Sequence, residues 1–289
     1  MLASITQMAK MGGFFLLLFA NNATAQKPSP VGTWYLERTK VDGTIQRGIL
    51  ELKQEQGQWI GQFEAAWHNK LFSGSPSTLR LVLLNTEKNV LSAQLTTPVQ
   101  EEWKLKLGDD DTMVGNRKFK DSSYPLRAQK LKSKQQFQIF GSYRYRNNSA
   151  KEQEIEKKIY AATEAMNFVA RPIARNRLEF LTRPAKYFSF EKQGKSIKIS
   201  NPQVERRCSL SGETVRFEDR RGKASKATCS RFKIGLEEHF SSDGQGRWVH
   251  DFAISKDGKV LYQTVLIDFP KFPKPITYTI AYERTTEAK

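Results

Sequence analysis

A histidine within an aromatic strand is the residue of this 289-residue chain best placed for chemistry. Trp248, His250 and Phe252 alternate, so their side chains share one face of a predicted strand. Tyr278 and Tyr282 share a face of the last predicted strand in the same way. If both faces line a barrel, the five form a ligand-binding wall with an imidazole as its polar group. The alternative is a core histidine that is hydrogen-bonded to a neighbouring strand or tyrosine.

Catalytic and metal-binding motifs are absent from the sequence. It contains no G-x-S-x-G, P-loop, G-x-G-x-x-G or H-E-x-x-H pattern. His68, His239 and His250 are scattered, and no pair of Cys or His has the spacing of a metal site. We therefore expect no metal and no cofactor. A catalytic role is not predicted, although an enzyme with an unrecognised site stays open, since barrels also host chemistry.

A strongly basic segment, Arg171–Lys233, carries much of the net charge of +17. Its densest clusters predict an anion-binding surface formed by Arg206, Arg207, Arg220, Arg221 and Lys223. Outside the cytoplasm, the anions that such a field attracts are lipid headgroups and glycans, and nucleic acid is not an expected partner. The alternative is a solvated surface that keeps the protein soluble.

The chain has two cysteines, Cys208 and Cys229, and both lie in this basic segment. In an oxidising compartment an even number of cysteines predicts a disulfide. The alternative is two independent buried thiols.

The compartment is predicted by residues 1–25. Lys10 precedes the apolar run 11–20, and Ala23 and Ala25 give a small-x-small cleavage site before Gln26. This layout is typical of a secretory signal peptide, so we expect a periplasmic or secreted protein that is not transmembrane after cleavage. An uncleaved anchor is the alternative, but the apolar run has about half of the ~20 residues that a spanning helix needs.

Short strands separated by turn residues fill most of the remaining chain. We predict a mainly β fold with two antiparallel barrels: domain 1 at 26–146 and domain 2 at 185–289. The segment 147–184 is predicted to be a helical linker that joins the barrels or plugs a barrel mouth. Ser149 and Glu152 predict a capping box at its start, and the helical apolar spacing continues to Arg171, before Pro172.

Gly32-Thr33-Trp34, placed before a series of hairpins, resembles the G-x-W start of lipocalins and other calycins. The resemblance implies an up-and-down barrel that often holds a small apolar ligand. It further implies that Trp34 closes one barrel end against a basic residue of the last strand, for which Arg127 is the candidate. The second half, from about Arg177 to Arg284, resembles lipocalin-like β domains of uncharacterised exported bacterial proteins.

These observations predict a binding protein for a small apolar or amphipathic ligand. One alternative is an envelope-associated interaction protein whose basic surface meets anionic lipid or glycan. The other is an enzyme with an unrecognised site. Filled barrels would argue against the first function, because a carrier needs a cavity.

Overall fold

Two antiparallel β-sheets, formed one after the other along the chain, make up most of the computed structural model. The structure describes residues 29–56, 58–66, 77–85, 90–95, 101–108, 110–132, 137–219, 222, 224–241 and 246–286. The prediction of a mainly β fold with two antiparallel barrels is confirmed. The predicted signal peptide, residues 1–25, lies outside the described residues.

The first sheet is a closed barrel in which each strand pairs with the next and the eighth pairs with the first. Its strands are β1 (Gly32–Thr39), β2 (Ile45–Glu55), β3 (Gln58–Ala65), β4 (Ser77–Asn85), β5 (Val90–Leu95), β6 (Glu101–Leu107), β7 (Thr112–Phe119) and β8 (Ser122–Lys130). We call it the first barrel. Closure leaves no unpaired strand edge.

Large side chains lie in the interior of the first barrel. Trp34, Phe63, Trp103 and Met113 are at most 1% exposed and belong to one apolar cluster. In β6, buried and exposed residues alternate strictly, which is the pattern of a strand with one face on a core. Among the described side chains, these residues form an apolar core.

Trp34 is buried at one end of the first barrel, as the resemblance implied, and its indole Nε1 donates to the Pro30 carbonyl at 2.9 Å. The basic residue against it is Lys130, whose Nζ lies 5.5 Å from the centre of the indole ring. Arg127, the predicted partner, is exposed. The register explains the difference, because Trp34 pairs with Lys130, whereas Arg127 pairs with Glu37.

The second sheet has ten strands in the order β12-β11-β10-β9-β18-β17-β16-β15-β14-β13 and forms a nearly closed barrel, the second barrel. Its elements are β9 (Gly141–Tyr145), α1 (Ser149–Thr163), α2 (Ala170–Thr182), β10 (Tyr187–Gln193), β11 (Ser196–Ser200), β12 (Glu205–Ser209), β13 (Val215–Glu218), β14 (Ala224–Phe232), β15 (Gly235–Ser241), β16 (Arg247–Ile254), β17 (Val260–Asp268) and β18 (Ile276–Thr285).

The two helices lie within the second barrel's part of the chain. Strand β9, inside the range predicted for domain 1, pairs with β10 and with β18. Helices α1 and α2 connect β9 to β10, so they belong to the second barrel and do not separate the two sheets. Neither described helix has the length and apolar character needed to span a bilayer.

The helical segment differs from its prediction in two details. The N-cap of α1 is Asn148, whose Oδ1 accepts from the Lys151 amide at 3.0 Å, and not Ser149. Helix α1 ends at Thr163, well before Arg171. Asn167 lies between the two helices, where its Oδ1 accepts from the Ala170 amide at 2.8 Å, and α2 begins at Ala170 with Val169 as its N-cap.

Contacts on one side join the two barrels. The Tyr35 hydroxyl of β1 donates to the Ile254 carbonyl of β16 at 3.2 Å. The Arg47 guanidinium carbon of β2 lies 3.5 Å from the ring centre of Tyr262 in β17. Tyr35 and Ile49 are part of the second barrel's apolar cluster.

A disulfide crosses the seam between the two ends of the second sheet. Cys208 of β12 is bonded to Cys229 of β14, with their Cα atoms 5.6 Å apart, and the predicted pairing is confirmed. Strands β12 and β13 end the sheet order and share no ladder, so the disulfide is a covalent link where backbone hydrogen bonds are missing.

Replacing both Cys208 and Cys229 by Ser should lower the free energy of unfolding by about 3 kcal/mol, because the bond closes a 21-residue loop. Urea denaturation with and without a reductant measures this. The reductant should destabilise the wild type by a similar amount and leave the double variant unchanged. Equal stability of the oxidised wild type and the variant would contradict the assigned role of the bond.

Candidate functional site

A cavity of about 210 Å³ lies inside the second barrel. Its apolar wall includes Phe188, Phe217, Phe240, Trp248 and Ile280, which project from five different strands. The last turn of α2 covers part of it. A concave, aromatic space of this kind suits an apolar ligand body.

Helix α2 is fixed over the cavity by a hydrogen bond to the barrel. The hydroxyl of Tyr278, a lining residue in β18, donates to the Thr182 carbonyl at the end of α2 at 3.3 Å. Leu181 and Thr182 of the same helix line the cavity. Any ligand that enters beside α2 therefore passes a contact between helix and strand.

The polar side of the cavity is built around His250. The Trp248 indole Nε1 donates to His250 Nε2 at 2.9 Å. The other ring nitrogen of His250, Nδ1, lies 3.8 Å from Glu238 Oε2. The Phe240 ring packs on the imidazole with 4.8 Å between ring centres.

Glu238 forms a buried ion pair with Arg206. Arg206 Nε donates to Glu238 Oε1 at 2.7 Å, and Arg206 Nη2 donates to the other carboxylate oxygen, Oε2. Glu238 is fully buried and Arg206 is 5% exposed. Two parallel hydrogen bonds satisfy both oxygens, which a carboxylate needs at such depth.

The pKa of Glu238 reflects a balance between burial and charge. Burial raises the pKa, but the positive charge and the hydrogen bonds of Arg206, together with His250, outweigh it and lower the pKa to about 2. Glu238 is therefore ionised at neutral pH, and the pair with Arg206 has no net charge.

Strand alternation places these polar groups in the interior. On β15, Leu236, Glu238 and Phe240 share the inward face, and Glu238 pairs in register with His250 of β16. Arg206 comes from β12, on the other side of the sheet's seam. The inward face of β12 also carries Cys208, so the disulfide holds the strand that presents Arg206.

Three of the five residues predicted for the ligand wall line the cavity: Trp248, His250 and Tyr278. Phe252 and Tyr282 face the same interior but are fully buried beside it, with their ring centres 5.2 and 5.1 Å from that of Phe188. They support the cavity wall from behind. A ligand-binding role for all five stays a prediction.

Of the residues predicted for an anion-binding surface, Arg206 and Arg207 lie in the described part of the chain. Arg206 is buried in the ion pair, whereas Arg207, the next residue on β12, is exposed. Alternation along the strand separates the two. Arg220, Arg221 and Lys223 lie outside the described residues.

The other described histidine, His239, lies on the opposite face of the sheet from His250. His239 faces outward on β15 and is paired with Glu237, and His68 lies outside the described residues. Within the described parts of the chain, no three His, Cys, Asp or Glu side chains are grouped closely enough to hold a metal ion.

Sequence reasoning missed Arg206 and Gln263 as wall residues and Glu238 as the buried partner of Arg206. The alternation of Leu236, Glu238 and Phe240 is a signal that would have placed the glutamate inside. No local pattern could have paired it with Arg206, because the partners are 32 residues apart and meet across the seam.

Comparisons with known proteins give similarities of fold only. No family model matches the chain, and no curated protein matches its sequence. Echinococcus granulosus fatty-acid-binding protein 1 is similar at 12% identity, covering 51% of this chain and 98% of its own, with a TM-score of 0.32. A Schistosoma mansoni fatty acid binding protein solved with arachidonic acid gives 11% identity, 51% and 96% coverage, and a TM-score of 0.31. A protein of unknown function from the DUF3598 family of Nostoc punctiforme is similar at 10% identity, covering 89% of this chain and 96% of its own, with a TM-score of 0.28.

Acid should weaken the folded state through Glu238. A lowered carboxyl pKa contributes stability above the unfolded value of 4.5, and this contribution is lost as the pH falls through about 2. The difference in free energy of unfolding between wild type and Glu238→Gln should therefore shrink by about 3 kcal/mol between pH 5 and pH 2. Denaturant titrations at several pH values measure it.

Ser225→Ala is the control for this pH dependence, because Ser225 lines the same cavity and has no group that titrates in this range. Its difference from wild type should not change with pH. If the difference between wild type and Glu238→Gln is equally constant, Glu238 does not have the assigned pKa.

Proposed function

We propose that the chain is a non-catalytic binding protein that holds a small amphipathic molecule inside the second barrel. The observation that carries the proposal is the aromatic cavity with one hydrogen-bonded polar wall. Aromatic rings suit the apolar part of a ligand, and convergent polar groups suit its polar end. Export, which the first 25 residues predict, is part of the proposal and agrees with a protein that meets its ligand outside the cytoplasm.

The second barrel is the proposed binding unit because the two interiors differ. Among the described side chains of the first barrel, two tryptophans and a phenylalanine belong to one buried apolar cluster. The second barrel keeps a space of about 210 Å³, which is smaller than the roughly 300–1,000 Å³ of most ligand pockets. The ligand is therefore smaller than a drug-sized molecule.

Filling the cavity should abolish binding without unfolding the barrel. Ser225 faces the cavity from β14, and Lys226 beside it is exposed. Ser225→Phe should weaken binding of 2-naphthalenemethanol by at least about tenfold, because the new ring occupies ligand space, and Lys226→Phe should bind as the wild type does. Isothermal titration calorimetry measures both variants, with circular dichroism as the check on folding.

Two results would contradict this proposal. One is a folded Ser225→Phe variant that binds 2-naphthalenemethanol like the wild type. The other is a wild type that binds neither 2-naphthalenemethanol nor 1-octanol.

A second candidate function, docking on an anionic lipid bilayer, is favoured by the exposed face of α2. Val169, Ile173 and Phe180 lie on one side of the helix and are 57%, 52% and 47% exposed, and Phe168 just before it is 86% exposed. Arg177 within α2 and Arg183 after it are also exposed. Apolar residues beside arginines suit a bilayer whose headgroups are negative.

Vesicle binding tests the second candidate. The wild type should co-sediment with phosphatidylglycerol-containing vesicles and less with pure phosphatidylcholine, and Phe168→Ser with Ile173→Ser should lower the bound fraction severalfold. Val114→Ser is the matched control, because Val114 is 53% exposed on the first barrel. Equal sedimentation of the control and the α2 variant would contradict docking through this helix.

A further inference from the structure

The charges around the cavity cancel. The Arg206 guanidinium on its wall is paired with the Glu238 carboxylate behind it. Two other charged side chains line the cavity, the exposed Arg183 and the half-buried Asp219, and their charges are opposite. His250 Nε2 accepts a hydrogen bond from the Trp248 indole N–H. The arginine and carboxylate charges at the cavity therefore sum to zero.

The positive charge of Arg206 is already neutralised. Its Nε and Nη2 both donate to Glu238, and its guanidinium carbon lies 5.6 Å from the centre of the Phe240 ring. A ligand carboxylate that approached Arg206 would place a second negative charge near Glu238. Breaking such a buried pair leaves an uncompensated charge, which is strongly unfavourable.

The wall does offer neutral hydrogen-bonding groups. Ser225, Ser241 and Gln263 line the cavity. The Gln263 Oε1 already accepts the Tyr282 hydroxyl at 3.2 Å, so the amide N–H of Gln263 is what it can offer a ligand. Serine hydroxyls both donate and accept. These groups suit an alcohol, a carbonyl or an amide.

We propose that the second barrel selects an uncharged amphipathic ligand and discriminates against carboxylates of the same shape, because Glu238 neutralises Arg206. The inference rests on the proposed binding function and adds the chemical class of the ligand to it. Glu238 acts here as a specificity determinant that need not touch the ligand. Arg206 without Glu238 would favour an anion instead.

Three naphthalene probes with one skeleton test the charge preference at neutral pH. They are 2-naphthalenemethanol, which is neutral, 2-naphthoate, which is anionic, and protonated 2-naphthylmethylamine, which is cationic. Calorimetry on the full chain should show that the alcohol binds at least about tenfold more tightly than either charged probe, which corresponds to about 1.4 kcal/mol.

Glu238→Gln should shift the ratio of the dissociation constants of the alcohol and 2-naphthoate at least about tenfold in favour of 2-naphthoate, because it removes the charge that neutralises Arg206. Glu205→Gln is the matched control, since Glu205 is an exposed neighbour of Arg206 on the same strand and should leave the preference unchanged. If Glu238→Gln does not fold, the double variant Arg206→Met with Glu238→Met is tested in its place. Replacing both members of a buried ion pair by apolar residues often leaves stability unchanged. That variant should keep the preference for the alcohol.

The outcomes separate this inference from the proposed function. If no probe binds the wild type, the binding function fails. If 2-naphthoate binds the wild type as tightly as the alcohol does, or if Glu238→Gln leaves the preference unchanged, the charge inference is overturned and the binding function stands.

Discussion

The ion pair between Arg206 and Glu238 is the contact on which the second barrel's interior depends. It joins β12 to β15 across the seam where the sheet has no backbone ladder. The Cys208–Cys229 bond lies on the same side and holds the same strand. The disulfide and the ion pair thus link the two edges of the sheet beside the cavity, where no backbone ladder joins them. The polar pair is thus both a structural contact and part of the site.

The two barrels solve the problem of closure in different ways. The first closes by hydrogen bonds between β1 and β8, and large aromatic side chains belong to its buried apolar cluster among the described residues. The second has two more strands, a pair of helices and an incomplete ladder. A wider sheet encloses more space than its own side chains fill, since barrel diameter grows with strand number. The cavity follows from that difference in strand number.

Buried polar groups in the first barrel show what a purely structural arrangement looks like. Arg38 and Arg117 both donate to Glu101, at 3.0 and 2.7 Å, and the Trp103 indole donates to the same carboxylate at 3.0 Å. All of these side chains are buried. Burial lowers the pKa of Arg38 to about 10 despite the nearby carboxylate. The pair in the second barrel differs because it borders an enclosed space.

Local patterns predicted much of this structure. Alternation placed Trp248, His250 and Phe252 on one inward face, and turn residues separated the strands correctly along most of the described chain. Local sequence patterns could not distinguish between neighbouring candidates. The helix cap is Asn148 where Ser149 was predicted, and the residue beside Trp34 is Lys130 where Arg127 was predicted. Register and long-range pairing decide such choices, and both depend on the closed sheet.

A crystal structure of the protein with 2-naphthalenemethanol would show where the ligand binds and what it contacts. We expect electron density for the naphthalene ring between Trp248, Phe240 and Tyr278. Its hydroxyl should reach the neutral polar groups of the wall, and the Arg206–Glu238 pair should stay intact. Density only outside the second barrel, or a ligand bonded to Arg206 with Glu238 displaced, would contradict the proposed binding mode.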